Sequence, residues 1–136
     1  MNAQTLHPAA QHSLDAWHAM VTKSDLGELD TLLDLAAVFH SPMAFKPYEG
    51  APVVAHILRT VLKVFSGFSY EREFVSADGN SVVLEFRANV GTREVKGIDM
   101  IRFDDQGKIV DFEVMIRPMS GLQALGEEMG RRLAQK

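Results

Sequence analysis

The sequence predicts an α+β domain in which a mostly antiparallel sheet is covered by helices on one face. The stretch from residue 69 to 118 alternates apolar and polar side chains and is interrupted only by turn residues, which is typical of consecutive strands. Earlier parts of the chain and the C-terminus show apolar residues at helical spacing instead. Strands that follow one another without intervening helices favour an antiparallel sheet with helices on one side.

Composition and charge limit the kind of protein this is. The 136 residues are 46% hydrophobic and carry a net charge of −4, so we expect a single domain over residues 1–136 with a sizeable core. The negative charge argues against nucleic-acid binding, and no apolar run reaches the roughly 18 residues of a membrane span. The absence of cysteine excludes disulfides and thiol chemistry. Since the N-terminus lacks the pattern of a secretory signal, the expected compartment is the cytoplasm.

The N-terminal half is predicted to be mainly helical. Residues 1–12 are expected to be a flexible lead-in, after which Ser13 caps a helix bearing Trp17 on its apolar stripe. A second, short helix is predicted from four leucines at Leu26, Leu29, Leu32 and Leu33. The segment AAVFHSP is predicted to be a strand that ends at Pro42. A loop rich in proline and glycine then leads to the clearest helix, with Pro52 in its first turn.

The rest of the chain predicts a four-stranded meander and a closing helix. YEREFVSA and SVVLEFRANV are the first two strands, separated by a turn at residues 78–80. Two more strands lie within residues 94–118, on either side of a turn at Asp104-Asp105-Gln106-Gly107. The last helix is expected to begin near Ser120, whose spacing to Gln123 fits a capping box.

One charged residue stands among apolar residues in this hairpin. Period-two alternation puts Asp99 on the same strand face as Ile101 and Phe103. On the next strand, Phe112, Val114 and Ile116 form the matching apolar row. A carboxylate in such a row is costly unless it is paired, hydrogen-bonded or neutralised. Buried carboxyls cluster at functional sites, so Asp99 is the leading candidate for a catalytic or ligand-binding residue, with a purely structural acid as the alternative.

The order of elements resembles the nuclear transport factor 2-like superfamily and, within it, the SnoaL-like branch, which includes polyketide cyclases and relatives of ketosteroid isomerase. The residues that carry this resemblance are AAVFHSP, the Tyr48-Glu49-Gly50 loop and GIDMIRFDDQGKIVDF, and it extends from Ser13 to about Pro118. It implies a cystatin-like cone, in which a curved sheet wraps around N-terminal helices and encloses an apolar pocket. It also implies that the outer face of the sheet pairs two subunits.

The resemblance assigns roles to three residues. Asp99 falls where ketosteroid isomerase has the acid of its oxyanion hole, a carboxyl kept neutral by apolar surroundings. Trp17 falls at the position of the enzyme's oxyanion tyrosine, and Ser41 at the position of its catalytic base. An indole N–H can donate a hydrogen bond but cannot act as a phenol, and a serine hydroxyl is not a base at neutral pH.

Two further residues are candidates for the pocket. His40 is the predicted proton carrier because imidazole ionises near neutral pH, although strand alternation turns it away from the pocket if Ser41 points inward. Tyr48 is predicted to contact a ligand from its loop. The expected apolar wall of the pocket consists of Ile101, Phe103, Phe112, Val114 and Ile116.

The sequence predicts a homodimer and offers no cofactor or metal site. The opposite face of the hairpin mixes Ile98, Met100 and Met115 with charges of both signs, which suits a subunit interface. None of the five histidines has the spacing of a metal motif.

Two functions remain open from the sequence. The first is a pocket protein for a small, mostly apolar ligand that catalyses isomerisation, cyclisation or dehydration by proton transfer. In that hypothesis Asp99 and Trp17 hold a carbonyl or enolate oxygen and His40 moves the proton. The second is a non-catalytic ligand-binding or dimerisation module of the same fold, favoured by Ser41 at the position of the base.

Overall fold

The chain folds into three helices and one six-stranded sheet, seen in a computed structural model that describes residues 5–134. The helices are α1 (Pro8–Lys23), α2 (Ala51–Val64) and α3 (Met119–Leu133). The strands are β1 (Leu33–His40), β2 (Tyr48–Glu49), β3 (Ser66–Val75), β4 (Ser81–Val90), β5 (Arg93–Phe103) and β6 (Ile109–Arg117).

The sheet is curved and open, with the strand order β2-β1-β6-β5-β4-β3. Every neighbouring pair is antiparallel except β1 and β6, which run parallel. The predicted α+β class and the mostly antiparallel meander are therefore confirmed. Shifts of register in the β1–β6 and β3–β4 pairs mark places where the ladder is irregular.

The N-terminal prediction is wrong for the described residues 5–12. Helix α1 begins at Pro8, and the preceding Leu6 is buried with only 6% of its surface exposed. Proline suits the first turn of a helix because its missing N–H would have no partner there. Residues 1–4 of the predicted lead-in lie outside the described part of the chain.

Ser13 is an interior residue of α1 and not its cap. Its Oγ donates a 2.6 Å hydrogen bond to the carbonyl of Gly107, in the turn between β5 and β6. A Cβ on Gly107 would lie 2.4 Å from the carbonyl oxygen of Ala9, so only glycine lets the helix approach this closely. The predicted turn thus also anchors the first helix.

Two other local predictions need correction. The four leucines of the predicted second helix are buried, but the segment forms only a single 3₁₀ turn, Leu29–Thr31, before β1 begins at Leu33. Helix α3 starts one residue before Ser120, and no side chain caps it. The spacing of the leucines correctly predicted that they are buried, but buried residues do not have to lie on a helix.

Candidate functional site

The concave face of the sheet, α2 and α3 enclose a cavity of about 200 Å³. Six aromatic residues from α1, the sheet and the segment after α2 contribute to its wall: Trp17, Phe39, Tyr48, Phe65, Phe68 and Phe112. Helix α2 contributes apolar side chains, α3 supplies Leu125, Met129 and Gly130 among others, and residues 41–43 also contribute to the lining. Such a largely apolar cavity with few polar groups is the usual form of a small-molecule site.

Among the residues that the structure describes, Asp99 is the one carboxylic acid in this lining. In the sheet it stands opposite Leu84 on β4 and Val114 on β6, so its immediate cross-strand neighbours are apolar. It is 6% exposed, and its carboxyl lies at the wall of the cavity. Asp99 therefore lies in an apolar row in the structure, as the sequence predicts.

A chain of two hydrogen bonds holds the Asp99 carboxyl from one side. The Tyr70 hydroxyl donates to Oδ2 of Asp99 at 2.6 Å, and Nε1 of Trp17 donates to the Tyr70 oxygen at 2.9 Å. The three residues come from β5, β3 and α1. Within residues 5–134, Oδ1 of Asp99 receives no hydrogen bond, and Asp99 lines the cavity.

Burial shifts the pKa values of the Asp99 carboxyl and the Tyr70 hydroxyl. It raises the pKa of Asp99 to about 7, and the hydrogen bond from Tyr70 opposes that rise. The pKa of Tyr70 is raised well above its usual value by burial and by the neighbouring Asp99 carboxyl. Asp99 therefore exchanges its proton near neutral pH while Tyr70 keeps its own.

Most of the predicted ligand-binding residues do lie around the cavity. Trp17, Ser41, Tyr48, Phe112 and Val114 all contribute to the lining, together with Asp99. Trp17 has its N–H committed to Tyr70, so it cannot hold a ligand oxygen as the sequence suggested. Ser41 accepts a hydrogen bond from the Met43 backbone N–H at 3.0 Å, which leaves its hydroxyl proton free to donate.

His40 lies on the other face of the sheet. Phe39 and Ser41 line the cavity, so the alternation of β1 turns His40 outward. Its Nε2 lies 3.0 Å from Oδ1 of Asp111, an ion-pair distance without hydrogen-bond geometry. The predicted role of His40 as proton carrier is therefore not supported by its position.

Three residues of the predicted wall lie away from the cavity lining. Ile101 and Phe103 are almost fully buried in the solid core, and Ile116 packs against that core while partly exposed. They share a face with Asp99, Phe112 and Val114, and Ile101 stands directly opposite Phe112; Phe103 and Ile116 lie further along the strands, in opposite directions. Alternation identifies the face of a strand and not the depth at which a cavity opens.

Tyr70 is the residue of the candidate site that sequence reasoning missed. It lies on β3, whose pairing with β4 shifts register on either side of the segment from Ser69 to Tyr70. The available signal was weak: Phe68, Tyr70, Arg72 and Phe74 alternate, but both faces of this edge strand contain aromatic or charged residues. Sequence reasoning also missed the contribution of α3 to the cavity, because helical spacing identifies an apolar face and not the cavity that the face lines.

The outer face of the sheet carries both apolar and paired charged residues. Phe74, Met100 and Met115 are 51%, 37% and 46% exposed. The Glu85 carboxylate binds Arg72 through two hydrogen bonds and lies 3.3 Å from Lys96. Arg72 in particular lowers the pKa of Glu85 to about 2, so the acid is ionised at neutral pH.

Residues 5–134 contain neither a cluster of metal-ligating side chains nor a helix that could span a membrane. No three histidine, aspartate or glutamate residues come together as metal ligands. No helix in that range has the length and apolar character needed to cross a membrane.

Comparison with known proteins supports the fold and the family. A model of the SnoaL-like domain matches residues 14–112. A solved structure from Pseudomonas aeruginosa, described as a steroid delta-isomerase, is 67% identical; the match covers 95% of this chain and 94% of that one, with a TM-score of 0.94. No curated protein sequence matches the chain.

Two further structures extend the comparison. An uncharacterised protein with a cystatin-like fold from Silicibacter pomeroyi is 32% identical, with a TM-score of 0.87 over 98% of this chain and 90% of that one. An NTF2-like protein of unknown function from Mesorhizobium loti is 17% identical, with a TM-score of 0.72 over 85% of this chain and all of that one. The second likeness bears on the fold alone, and it agrees with the predicted NTF2-like cone.

Proposed function

Since this chain belongs to the SnoaL-like domain family, we propose that it binds a small, mostly apolar ketone and isomerises it by proton transfer. The observation that carries the proposal is the Asp99 carboxyl, which presents one uncommitted oxygen to an apolar cavity. A pKa of about 7 suits a group that must take and return a proton near neutral pH. The similarity to a protein described as a steroid delta-isomerase makes a steroid ketone the first ligand to test.

The proposed reaction uses Asp99 as the only proton carrier. The Asp99 carboxylate takes a proton from the carbon between the carbonyl and the double bond of a β,γ-unsaturated ketone. The C–H bond breaks, an O–H bond forms on Asp99, and the ligand becomes a dienolate. Return of the proton to the γ carbon breaks that O–H bond and leaves the double bond conjugated with the carbonyl, so no co-reactant is needed.

Hydroxyl groups are the proposed partners of the ligand oxygen. Ser41 and Tyr48 both line the cavity, and the Ser41 proton is not committed to the protein. On β1, His40 pairs with Glu113 of β6, so the following residue, Ser41, lies level with Val114. Val114 in turn pairs with Asp99 on β5. The backbones of Ser41 and Asp99 are thus roughly 10 Å apart, two strand spacings, which leaves room for a ring between their inward-pointing side chains.

A steroid ketone without a carbon–carbon double bond tests binding separately from turnover. We expect it to raise the melting temperature of the wild type by several degrees at concentrations far above Kd. Gly130→Phe should abolish this shift, because a Cβ at Gly130 meets no atom within 4 Å and a bulky side chain can occupy the mouth of the cavity. Gln123→Phe, on an exposed position of the same helix, is the matched control.

Differential scanning fluorimetry measures the melting temperatures of the wild type, Gly130→Phe and Gln123→Phe with and without the ketone. A ligand shift that survives in Gly130→Phe, or no shift in the wild type with any apolar ketone, contradicts the proposed site. A shift that depends on the cavity, without exchange of the ligand's α-protons in D₂O, would favour the non-catalytic binding module instead. That second function is favoured by Ser41, which stands where the resemblance expects a base.

The outer sheet face is proposed to pair two copies of the chain. Its exposed Phe74, Met100 and Met115 lie among charges of both signs, and a two-fold axis can bring such a surface onto itself with opposite charges matched. We expect sedimentation to give the mass of a dimer for the wild type and of a monomer for Met115→Lys. Leu35→Lys, at an exposed position on β1, should remain dimeric. A monomeric wild type would contradict the proposal.

A further inference from the structure

We infer that Trp17 and Tyr70 act together as positioning residues that confine the exchangeable proton of Asp99 to Oδ1, the oxygen presented to the ligand. This inference rests on the proposed function for its meaning in catalysis. The hydrogen-bond geometry on which it depends does not require the proposal to hold.

The direction of the hydrogen-bond chain is set by the indole. The Nε1–H of tryptophan can only donate, so at 2.9 Å the Tyr70 oxygen must accept from Trp17. Tyr70 has one proton, and its nearest acceptor is Oδ2 of Asp99 at 2.6 Å. Oδ2 is therefore an acceptor from Tyr70 whether or not Asp99 is ionised.

The consequence for Asp99 concerns which oxygen carries its proton. A proton on Oδ2 would have to point at the Tyr70 hydroxyl, which would turn that hydroxyl's own proton away from its acceptor. The cost of leaving a buried donor without a partner disfavours this arrangement. The neutral acid thus carries its proton on Oδ1, and the carboxylate accepts a proton there.

The surroundings of the chain support a fixed geometry. The Trp17 ring packs edge-on against Phe112 at 5.4 Å, and Tyr70 packs edge-on against Phe68 at 4.9 Å and against His18 at 5.2 Å. Among residues 5–134, Tyr70 is the ionisable group bonded to Asp99, and Tyr48 lines the same cavity. One contact further out, His18 packs on Tyr70 and lies 3.2 Å from Glu73. The cross-strand neighbours of Asp99 on β4 and β6 are Leu84 and Val114, which do not ionise.

The test is a titration of the Asp99 carboxyl by ¹³C NMR in the full chain. Tyr70→Phe removes the hydrogen bond to Oδ2, so the midpoint should rise by about one pH unit, the scale of one hydrogen bond to a charged group. Trp17→Phe should move the midpoint in the same direction by less. Tyr48→Phe, the matched change at the other tyrosine, should leave it unchanged.

A second substitution covers the case in which Tyr70→Phe fails to fold. Replacement of both tyrosines by 3-fluorotyrosine makes the Tyr70 hydroxyl a stronger donor with little change in shape, and the midpoint should then fall. Unchanged midpoints in folded Tyr70→Phe or in the fluorinated protein would overturn the inference.

The same variants connect the inference to turnover. If the wild type isomerises a β,γ-unsaturated ketone, the midpoint of its pH–rate profile should rise in Tyr70→Phe together with the carboxyl titration. A profile that stays fixed while the carboxyl titration moves would overturn the catalytic part of the inference. Absence of turnover in the wild type would defeat the proposed function alone, because the NMR titration needs no ligand.

Discussion

Asp99→Asn is expected to slow isomerisation of a β,γ-unsaturated steroid ketone by about 10²- to 10⁴-fold, the usual range for loss of a general acid–base group. An amide has nearly the same shape as the carboxyl but cannot accept a proton from carbon. In the proposed reaction the carboxylate of Asp99 is the active form, and its pKa is about 7. The rate should therefore rise with pH through about 7 and then level off, and the residual rate of the variant should be independent of pH.

Steady-state turnover measured by the absorbance of the conjugated product checks this expectation. Asp105→Asn, in the exposed turn between β5 and β6, is the matched control and should retain wild-type rates. If Asp99→Asn keeps full activity, the proton carrier is another group and the proposed reaction is wrong.

Asp99→Asn is also expected to stabilise the folded protein at alkaline pH. Burial raises the folded-state pKa of Asp99 from 3.8 to about 7, so between these values the folded protein holds a proton that the unfolded chain releases. The stability contributed by this protonated group is fully present below pH 3.8 and is lost as the pH rises through 7. The total is about 4 kcal/mol, and about 3 kcal/mol of it falls between pH 5 and pH 8.

Urea unfolding of the wild type and the variant at pH 5 and pH 8 measures this change. The interval excludes the contribution of Glu85 and Glu128: with pKa values of about 2 against 4.5, their stability is present above pH 4.5 and is lost toward pH 2. Between pH 5 and pH 8, the unfolding free energy of the wild type should fall by about 3 kcal/mol relative to that of Asp99→Asn. Asp105→Asn should track the wild type. Parallel curves for wild type and Asp99→Asn would mean that Asp99 is ionised in the folded state at pH 5.

Much of the fold follows from local patterns in the sequence. The meander from β3 to β6 was predictable because each strand alternates and each turn contains glycine with acids or asparagine nearby. The parallel pairing of β1 with β6 was not predictable, since residues about 70 positions apart meet there and no local pattern records it.

In the candidate site, too, residues that belong to a local pattern were predictable, and residues that depend on long-range contacts were not. Asp99 could be found because a charge interrupts an apolar row, and its neighbours Phe112 and Val114 because they share that row. Tyr70 could not be found, because its hydrogen bond to Asp99 depends on the curvature of the sheet and on irregular pairing at an edge strand. His40 was favoured for its chemistry, and the alternation that turns it outward proved decisive.

The position of a bound ligand relative to Asp99 tests the central claim most directly. A crystal structure of the wild type soaked with the steroid ketone used for binding would supply it. We expect a carbon next to the carbonyl within about 3.5 Å of Oδ1 of Asp99, the separation of reacting atoms in a near-attack geometry, with Tyr70 still bonded to Oδ2. A ligand bound outside the cavity, or inside it with only saturated carbons far from the carbonyl facing Asp99, would contradict the role assigned to this residue.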